Sequence, residues 1–87
     1  FYEKARVRVL GASTPFTRTS DSENKATSFF CPRCGSTVYW ESEGRPGIVG
    51  VAVGAFGDPG FPAPTRSVYE ERKHPFVAFA CELTHIP

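Results

Sequence analysis

The chain is short and nearly neutral, and these properties exclude several classes of function. It has 87 residues, of which 40% are hydrophobic and 22% are charged, and ten basic and nine acidic side chains leave a net charge of +1. That balance provides no basic surface for nucleic acid or for an acidic membrane. The longest apolar stretch, 48–56, is too short to span a bilayer.

Cysteine usage indicates a metal or redox site rather than a disulfide framework. The chain has three cysteines, and two of them, Cys31 and Cys34, are two residues apart, whereas Cys81 is distant. An odd number with this spacing is typical of a reducing compartment, so we expect a cytoplasmic protein. No secretory leader is recognisable. Because the sequence lacks methionine and begins with Phe1, we expect it to be part of a longer protein.

The first quarter of the chain predicts two short strands and a polar connection. Residues 4–10, KARVRVL, alternate with Val7 and Val9 on one face and arginines on the other, which predicts a half-buried strand. Residues 15–19 predict a second strand. The polar residues 20–26 favour a loop or a hairpin connection.

The middle of the chain predicts further strands on both sides of a CPRCG motif. Residues 27–31 have strand composition, and 36–41 follow with Val38 and Trp40 on a common face. Residues 42–47, SEGRPG, predict a turn.

Residues 48–56, IVGVAVGAF, predict the most apolar strand. One face carries valines, and the other carries Gly50, Ala52 and Gly54, which leave it bare. Bare faces occur where a ligand or another backbone comes close, and tight packing against a neighbouring sheet is the favoured reason here.

The last part of the chain is punctuated by proline and glycine. Asp58, Pro59 and Gly60 predict a type II turn, and this turn role is favoured over a role for Asp58 as a catalytic base. Residues 65–76 predict a strand or a short helix that ends at Pro75. Because no segment keeps a period of 3.6 residues, the sequence predicts an all-β domain of short antiparallel strands.

The CPRCG motif has the spacing of a zinc knuckle. Two intervening residues let a tight turn aim Cys31 and Cys34 at one tetrahedral ion, with Zn–S distances of about 2.3 Å. Pro32 stiffens the turn, and Gly35 stands where the backbone often needs a left-handed conformation. We therefore predict that Cys31 and Cys34 bind a structural zinc ion.

Three other interpretations of the two cysteines stay open. They are a thioredoxin-like redox pair, which needs a helix after the motif, two core cysteines, and a nucleic-acid-binding zinc ribbon, which needs a second CxxC. The missing zinc ligands are not evident, because Cys81, His74 and His85 are each more typical of core or surface positions. We expect the remaining ligands to lie outside the sequence.

Three stretches, FFCPRCGSTVYWE, GIVGVAVGAFGDP and SVYEERKHPF, resemble the later part of the glutathione-dependent formaldehyde-activating enzyme family, which includes centromere-protein-V-like proteins. The resemblance implies a small zinc-stapled β-tent of the Mss4-like kind, with residues 1–87 as the later part of one domain. It also implies that an upstream C-x-C pair joins Cys31 and Cys34 in a structural Cys₄ site. A further upstream C-x-C-x-x-C run would hold a catalytic zinc.

The function that the resemblance implies is that of a zinc-dependent carbon–sulfur lyase. It would join the glutathione thiol to formaldehyde and give S-hydroxymethylglutathione, although the 87 residues alone are expected to be inactive. No residue stands out as the catalytic base, and four side chains are candidates to contact the anionic tripeptide: Tyr39, Tyr69, Arg66 and Arg72. The alternatives are a non-enzymatic zinc module for protein or nucleic-acid interaction, and a homodimer in which two CxxC pairs share one zinc.

Overall fold

The computed structural model describes residues 1–87 as a five-stranded sheet followed by a C-terminal segment with little regular structure. The strands are Tyr2–Glu3 (β1), Thr14–Thr19 (β2), Lys25–Phe30 (β3), Thr37–Ser42 (β4), Ile48–Val51 (β5), Arg66–Ser67 (β6) and Thr84–His85 (β7). Single 3₁₀ turns cover Lys4–Arg6, Val53–Phe56 and Glu70–Arg72. The chain contains no α-helix, which confirms the all-β prediction, and none of its helical turns could cross a membrane.

The main sheet has the strand order β1-β5-β4-β3-β2, and every neighbouring pair is antiparallel. Strands β2 and β3 form a hairpin whose turn is closed by the Ser20 N–H donating to the Asn24 carbonyl at 2.9 Å. Strands β3 and β4 pair from Ala26↔Ser42 to Phe30↔Thr37. The strands predicted at 15–19, 27–31 and 36–41, and the connection between the first two, are therefore confirmed.

Gly50 explains the bare face of β5. Trp40 lies directly opposite Gly50 in the neighbouring strand, and a Cβ added to Gly50 would stand 2.2 Å from the indole Cε2. The indole therefore occupies the space that any side chain would need. At this position the bare face reflects tight packing, as predicted, but the packing partner is the adjacent strand of the same sheet and not a neighbouring sheet.

The prediction of a strand at residues 4–10 is wrong. β1 ends at Glu3, and the Lys4 N–H donates to the Gly47 carbonyl at 2.8 Å as the chain turns into a 3₁₀ turn. Because β5 pairs only Val49 and Ile48 with β1, residues beyond Glu3 have no strand to join. Residues 4–10 alternate like a strand, but they lack the neighbouring strand with which a strand must pair.

The strand predicted at residues 48–56 is too long. β5 ends at Val51, and a 3₁₀ turn follows at Val53–Phe56. The Ala52 N–H still donates to the Val38 carbonyl at 2.9 Å, but β4 begins at Thr37 and offers little beyond that point. β5 therefore ends where β4 no longer offers residues for it to pair with.

The C-terminal segment differs from the predictions in two respects. Gly60 does not have the positive φ of a type II turn; its N–H instead donates to the Asp58 side chain at 2.8 Å, and the Phe61 N–H closes the turn onto the Asp58 carbonyl. The second sheet, β6 with β7, is parallel, whereas the sequence led us to expect antiparallel strands. Residues 65–76 contain both a strand, β6, and a 3₁₀ turn.

Little of the sheet is covered. Only Val49, which is 2% exposed, and Gly50 are buried. Twelve large hydrophobic side chains are exposed, among them Leu10 at 78% and Phe16 at 62%. The radius of gyration is 14.5 Å, against about 12 Å for a compact domain of this length. The exposed apolar side chains leave surface that a partner could bury.

Candidate metal and thiol site

The CPRCG motif forms the tip of the hairpin between β3 and β4. The Cys31 N–H donates to the Ser36 carbonyl at 2.9 Å, and the Gly35 N–H donates to the Cys31 carbonyl at 2.8 Å. Gly35 has φ +76°, which confirms the left-handed conformation expected after the second cysteine. A register shift next to the tip, where Phe29 opposes Tyr39 and Phe30 opposes Thr37, adds the local twist of a β-bulge.

The two thiols differ in exposure and environment. Cys31 is half-buried where β3 ends, whereas Cys34 is exposed at the tip, and neither forms a disulfide. Hydrogen bonds from the Ser36 side chain and backbone lower the pKa of the Cys34 thiol, and the Cys31 thiol lowers it further. An accessible thiol whose anion is favoured is suited to binding a metal ion.

The hairpin bears on the three open interpretations of the cysteines. A strand follows the motif, so no helix N-terminus is present to activate Cys34 as in a thioredoxin-like pair. The exposure of Cys34 does not fit a pair of core cysteines. No second CxxC exists to complete a zinc ribbon. The turn at the hairpin tip is compatible with a zinc knuckle, and zinc binding by Cys31 and Cys34 stays a prediction.

The other potential ligands of the chain do not join the knuckle. His74 stacks on Phe76 with ring centroids 5.3 Å apart, and the His85 Nδ1 lies 2.7 Å from a Glu70 carboxylate oxygen. Cys81 is half-buried in the C-terminal segment. Among the 87 residues no group of three or more His, Cys, Asp or Glu side chains is arranged to hold a metal ion. The hairpin tip therefore brings Cys31 and Cys34 close together without a third potential ligand from residues 1–87.

A cavity of about 390 Å³ lies beside Cys31. The segment 7–13 forms one wall, and the sheet contributes Cys31, Val38, Tyr39 and Val51. Eight of its eleven lining residues are hydrophobic, and Arg8 is the one charged side chain among them. Tyr39 also stacks on Phe29 at 4.4 Å, which fixes one side of the cavity. A small, mostly apolar molecule with one anionic group would fit such a site.

The structure separates the side chains that the sequence suggested as contacts for an anionic tripeptide. Tyr39 lines the cavity beside Cys31, whereas Tyr69 and Arg72 line a different cleft, together with Arg18. Arg66 lies in β6, and Asp58 caps its own turn. Of the suggested residues, the structure brings only Tyr39 next to the knuckle.

Sequence reasoning missed two features. Arg8 lines the cavity because residues 7–13 form a wall instead of a strand, and no local pattern indicates this. The pair formed by Glu70 and His85 was also missed, since its partners are 15 residues apart. Hydrogen bonds from His85 and then Ser67 lower the pKa of the Glu70 carboxyl. Ser67 in β6 pairs with His85 in β7, and this pairing brings both side chains close to Glu70.

Comparison with known proteins gives one match. Residues 1–72 match the model of the family described as glutathione-dependent formaldehyde-activating enzyme, and the matched range covers both the knuckle and every residue that lines the cavity. Neither the curated proteins nor the solved structures include one that matches the chain. The match spans most of the 87 residues, and the chain therefore belongs to the glutathione-dependent formaldehyde-activating enzyme family.

Proposed function

We propose that the chain serves carbon–sulfur lyase chemistry on a glutathione-like thiol, as a zinc-binding part of a formaldehyde-activating domain. The observation that carries this proposal is the family match over residues 1–72, together with a cysteine pair in which Cys34 is exposed and the half-buried Cys31 lines a mostly apolar cavity. Cys31 and Cys34 would hold zinc as half of a Cys₄ structural site. When bound there, the ion would cross-link the hairpin tip to whatever supplies the other two ligands.

The reaction joins a thiol to formaldehyde, with all atoms conserved. The sulfur forms a bond to the carbonyl carbon, the π bond of the carbonyl breaks, and the thiol proton ends on the oxygen; the lyase direction reverses these steps. The cavity contains no histidine, carboxylate or lysine that could act as the base, and its ionisable side chains are Cys31, Arg8 and Tyr39. We infer that these residues bind and orient the thiol, and that groups outside the 87 residues supply the acid–base step.

Two features of the cavity support the binding of a glutathione-like ligand through one of its carboxylates and its less polar part. The Arg8 guanidinium would pair with a ligand carboxylate, and Tyr39 and Val51 would pack against its apolar part. Arg8 is exposed, so it can turn towards a ligand. The three free cysteines fit a reducing compartment, and we propose a cytoplasmic location on that ground.

A second candidate function is a non-enzymatic zinc module that binds another protein. The observation in its favour is the extent of exposed apolar side chains, such as Leu10 and Phe16, in a chain with two buried residues. A binding module would use that surface without binding glutathione. Glutathione binding at the cavity therefore separates the two functions.

An NMR titration of the zinc-loaded chain with glutathione tests the proposal, with a phosphine as the reductant. We expect the amide signals of Val38, Tyr39 and Val51 to shift in a saturable way. Arg8→Gln should weaken this binding, and the control Arg66→Gln, in β6 and away from the cavity, should not. If glutathione shifts no cavity signal, the proposal that Arg8, Tyr39 and Val51 bind the thiol is overturned.

A further inference from the structure

A second cleft is lined by residues of the β2–β3 turn and of the 3₁₀ turn at Glu70–Arg72. Its volume is about 450 Å³, and none of its lining residues contributes to the cavity beside Cys31. Its walls carry two arginines, two serines, one acid and one tyrosine, namely Arg18, Arg72, Ser20, Ser22, Asp21 and Tyr69. We propose that this cleft binds a phosphate monoester whose planar organic group stacks on Tyr69.

Local backbone geometry brings the two arginines to the same cleft. The Arg72 N–H donates to the Tyr69 carbonyl at 3.0 Å and closes a 3₁₀ turn, in which side chains three residues apart lie one above the other. The Arg72 guanidinium accordingly lies over the Tyr69 ring, 6.0 Å from its centroid. Arg18 lies near the end of β2, next to a turn in which the Glu23 N–H donates to the Ser20 carbonyl at 2.9 Å. The cleft therefore collects donors from two segments that are distant in sequence.

An ion pair inside the cleft shows that its arginines stabilise an anion. Arg72 donates a hydrogen bond to one oxygen of the Asp21 carboxylate. This hydrogen bond and the charge of Arg72 lower the pKa of the Asp21 carboxyl, and the charge of Arg18 lowers it further. Asp21 is the one acid among the lining residues, so the two guanidiniums exceed it by one positive charge. The side chains that line the cleft therefore still favour a further anionic group.

The donors of the cleft suit a phosphate group better than a carboxylate. Each guanidinium presents several N–H groups in a planar fork, and Ser20 and Ser22 add hydroxyl groups. A carboxylate has two oxygens and one charge, which a single guanidinium can satisfy. A phosphate monoester carries a charge of about −1.5 to −2 at pH 7 and has more acceptor oxygens, so it can bridge Arg18 and Arg72.

Tyr69 supplies a surface for the organic part of the ligand. Its side chain is 64% exposed, and its backbone has φ +58°, a left-handed conformation that is uncommon for an aromatic residue. Hydrogen bonds hold the backbone in place, since the Arg72 N–H donates to the Tyr69 carbonyl and the Glu70 N–H donates to the Ile86 carbonyl at 3.1 Å. The ring is thus presented beside Arg72, where a planar group of the ligand can stack on it.

An NMR titration of the chain with phenyl phosphate tests the proposal. We expect the amide signals of Ser22, Tyr69 and Arg72 to shift in a saturable way, and benzoate, which has the same ring and a carboxylate, to bind about tenfold more weakly. Arg18→Gln and Arg72→Gln should each raise the dissociation constant about tenfold, with the signals of β3 and β4 unchanged as evidence of folding.

Arg33→Gln is the matched control for these two variants. It removes the same charge at the hairpin tip that follows β3, whereas the cleft lies at the turn that precedes β3, so the dissociation constant should not change. Absence of a saturable shift, equal binding of benzoate, or an equal loss of affinity in Arg33→Gln would each overturn the proposal.

Asp21→Asn tests where the phosphate group lies. The substitution removes a like charge beside the ligand and frees Arg72, so phenyl phosphate should bind more tightly than it binds to the natural chain. Bound phenyl phosphate should also slow proteolysis of this variant between residues 57 and 72, because the ligand links Arg72 to Arg18 in the sheet. Equal or weaker binding, or unchanged cleavage, would overturn the placement of the phosphate between the two arginines.

Tyr69→Leu tests the stacking of the organic group. The variant should bind phenyl phosphate more weakly and inorganic phosphate as the natural chain does, because only the first ligand has a ring. Unchanged binding of phenyl phosphate would overturn the role of Tyr69.

Discussion

The sheet formed by residues 2–51 and the segment 57–87 are held together by different kinds of contact. In the sheet, β2, β3 and β4 form ladders of five or six paired residues, and Trp40 fills the space opposite Gly50. In the C-terminal segment the only ladder is the two-residue pairing of β6 with β7. Side-chain pairs supplement it, namely Glu70 with His85 and, across to the β2–β3 turn, Asp21 with Arg72.

The sheet and the C-terminal segment also differ in how they relate to the family match and in their sensitivity to pH. The family match ends at residue 72, so the knuckle and the sheet belong to the matched range whereas His85 and β7 lie beyond it. Ladder hydrogen bonds and packing resist changes of pH, while exposed ion pairs do not. We therefore expect changes in the sheet to act on the whole domain and changes in the C-terminal segment to act locally.

The largest effect is expected for Gly50→Val. The new side chain would enter the space of the Trp40 indole, and overpacking of this kind destabilises by about 1–3 kcal/mol. Gly54→Ala is the matched control, since a Cβ there meets nothing within 4 Å. Urea unfolding measures both variants, and equal midpoints would show that Trp40 does not need the space at Gly50.

A local effect is expected for Glu70→Gln. Because the pKa of Glu70 lies below its ordinary value of 4.5, the carboxylate stabilises the folded segment above that pH, and the contribution is lost as pH falls through the lowered pKa. In the natural chain the amide signals of Thr84 and Ile86 should therefore move towards unfolded values on acidification, as NMR can follow.

The substitution should remove this pH dependence and leave the signals of β3 and β4 unchanged. Glu82→Gln, at an exposed acid that forms no ion pair, is the control and should keep the dependence. If Glu70→Gln retains the acid transition of the natural chain, another group is responsible for it.

The smallest effect is expected for Asp21→Asn. Arg72 lowers the pKa of the Asp21 carboxyl, and both side chains are largely exposed, so water and salt screen the pair. Global stability should hardly change, but limited proteolysis between residues 57 and 72 should become faster because a tie to the β2–β3 turn is lost. Cleavage at the natural rate would show that this ion pair does not hold the segment.

The parts of the fold that local patterns govern could be predicted. Strand composition predicted β2 and β3, alternation predicted β4, and the CPRCG motif predicted a tight turn with a left-handed Gly35 between two strands. Each of these features depends on residues close together in sequence. A family resemblance based on the same stretches is confirmed by the match over residues 1–72.

The parts that depend on distant partners could not be predicted. Val7 and Val9 alternate with arginines, yet no strand is available to pair with them, because β5 pairs with only two residues of β1. Residues 53–56 are as apolar as β5, but their neighbouring strand has already ended. The parallel pairing of β6 with β7 joins residues 18 positions apart, and nothing in either dipeptide specifies it.

Zinc content and thermal stability of Cys31→Ser, compared with Cys81→Ser, test the central claim most directly. If Cys31 and Cys34 bind zinc, the first variant should lose the metal, as measured by elemental analysis, and unfold at a lower temperature than the zinc-loaded natural chain. The second variant should match the natural chain in zinc content. Unchanged zinc content and an unchanged unfolding temperature in Cys31→Ser would contradict the assignment of the knuckle as a zinc site.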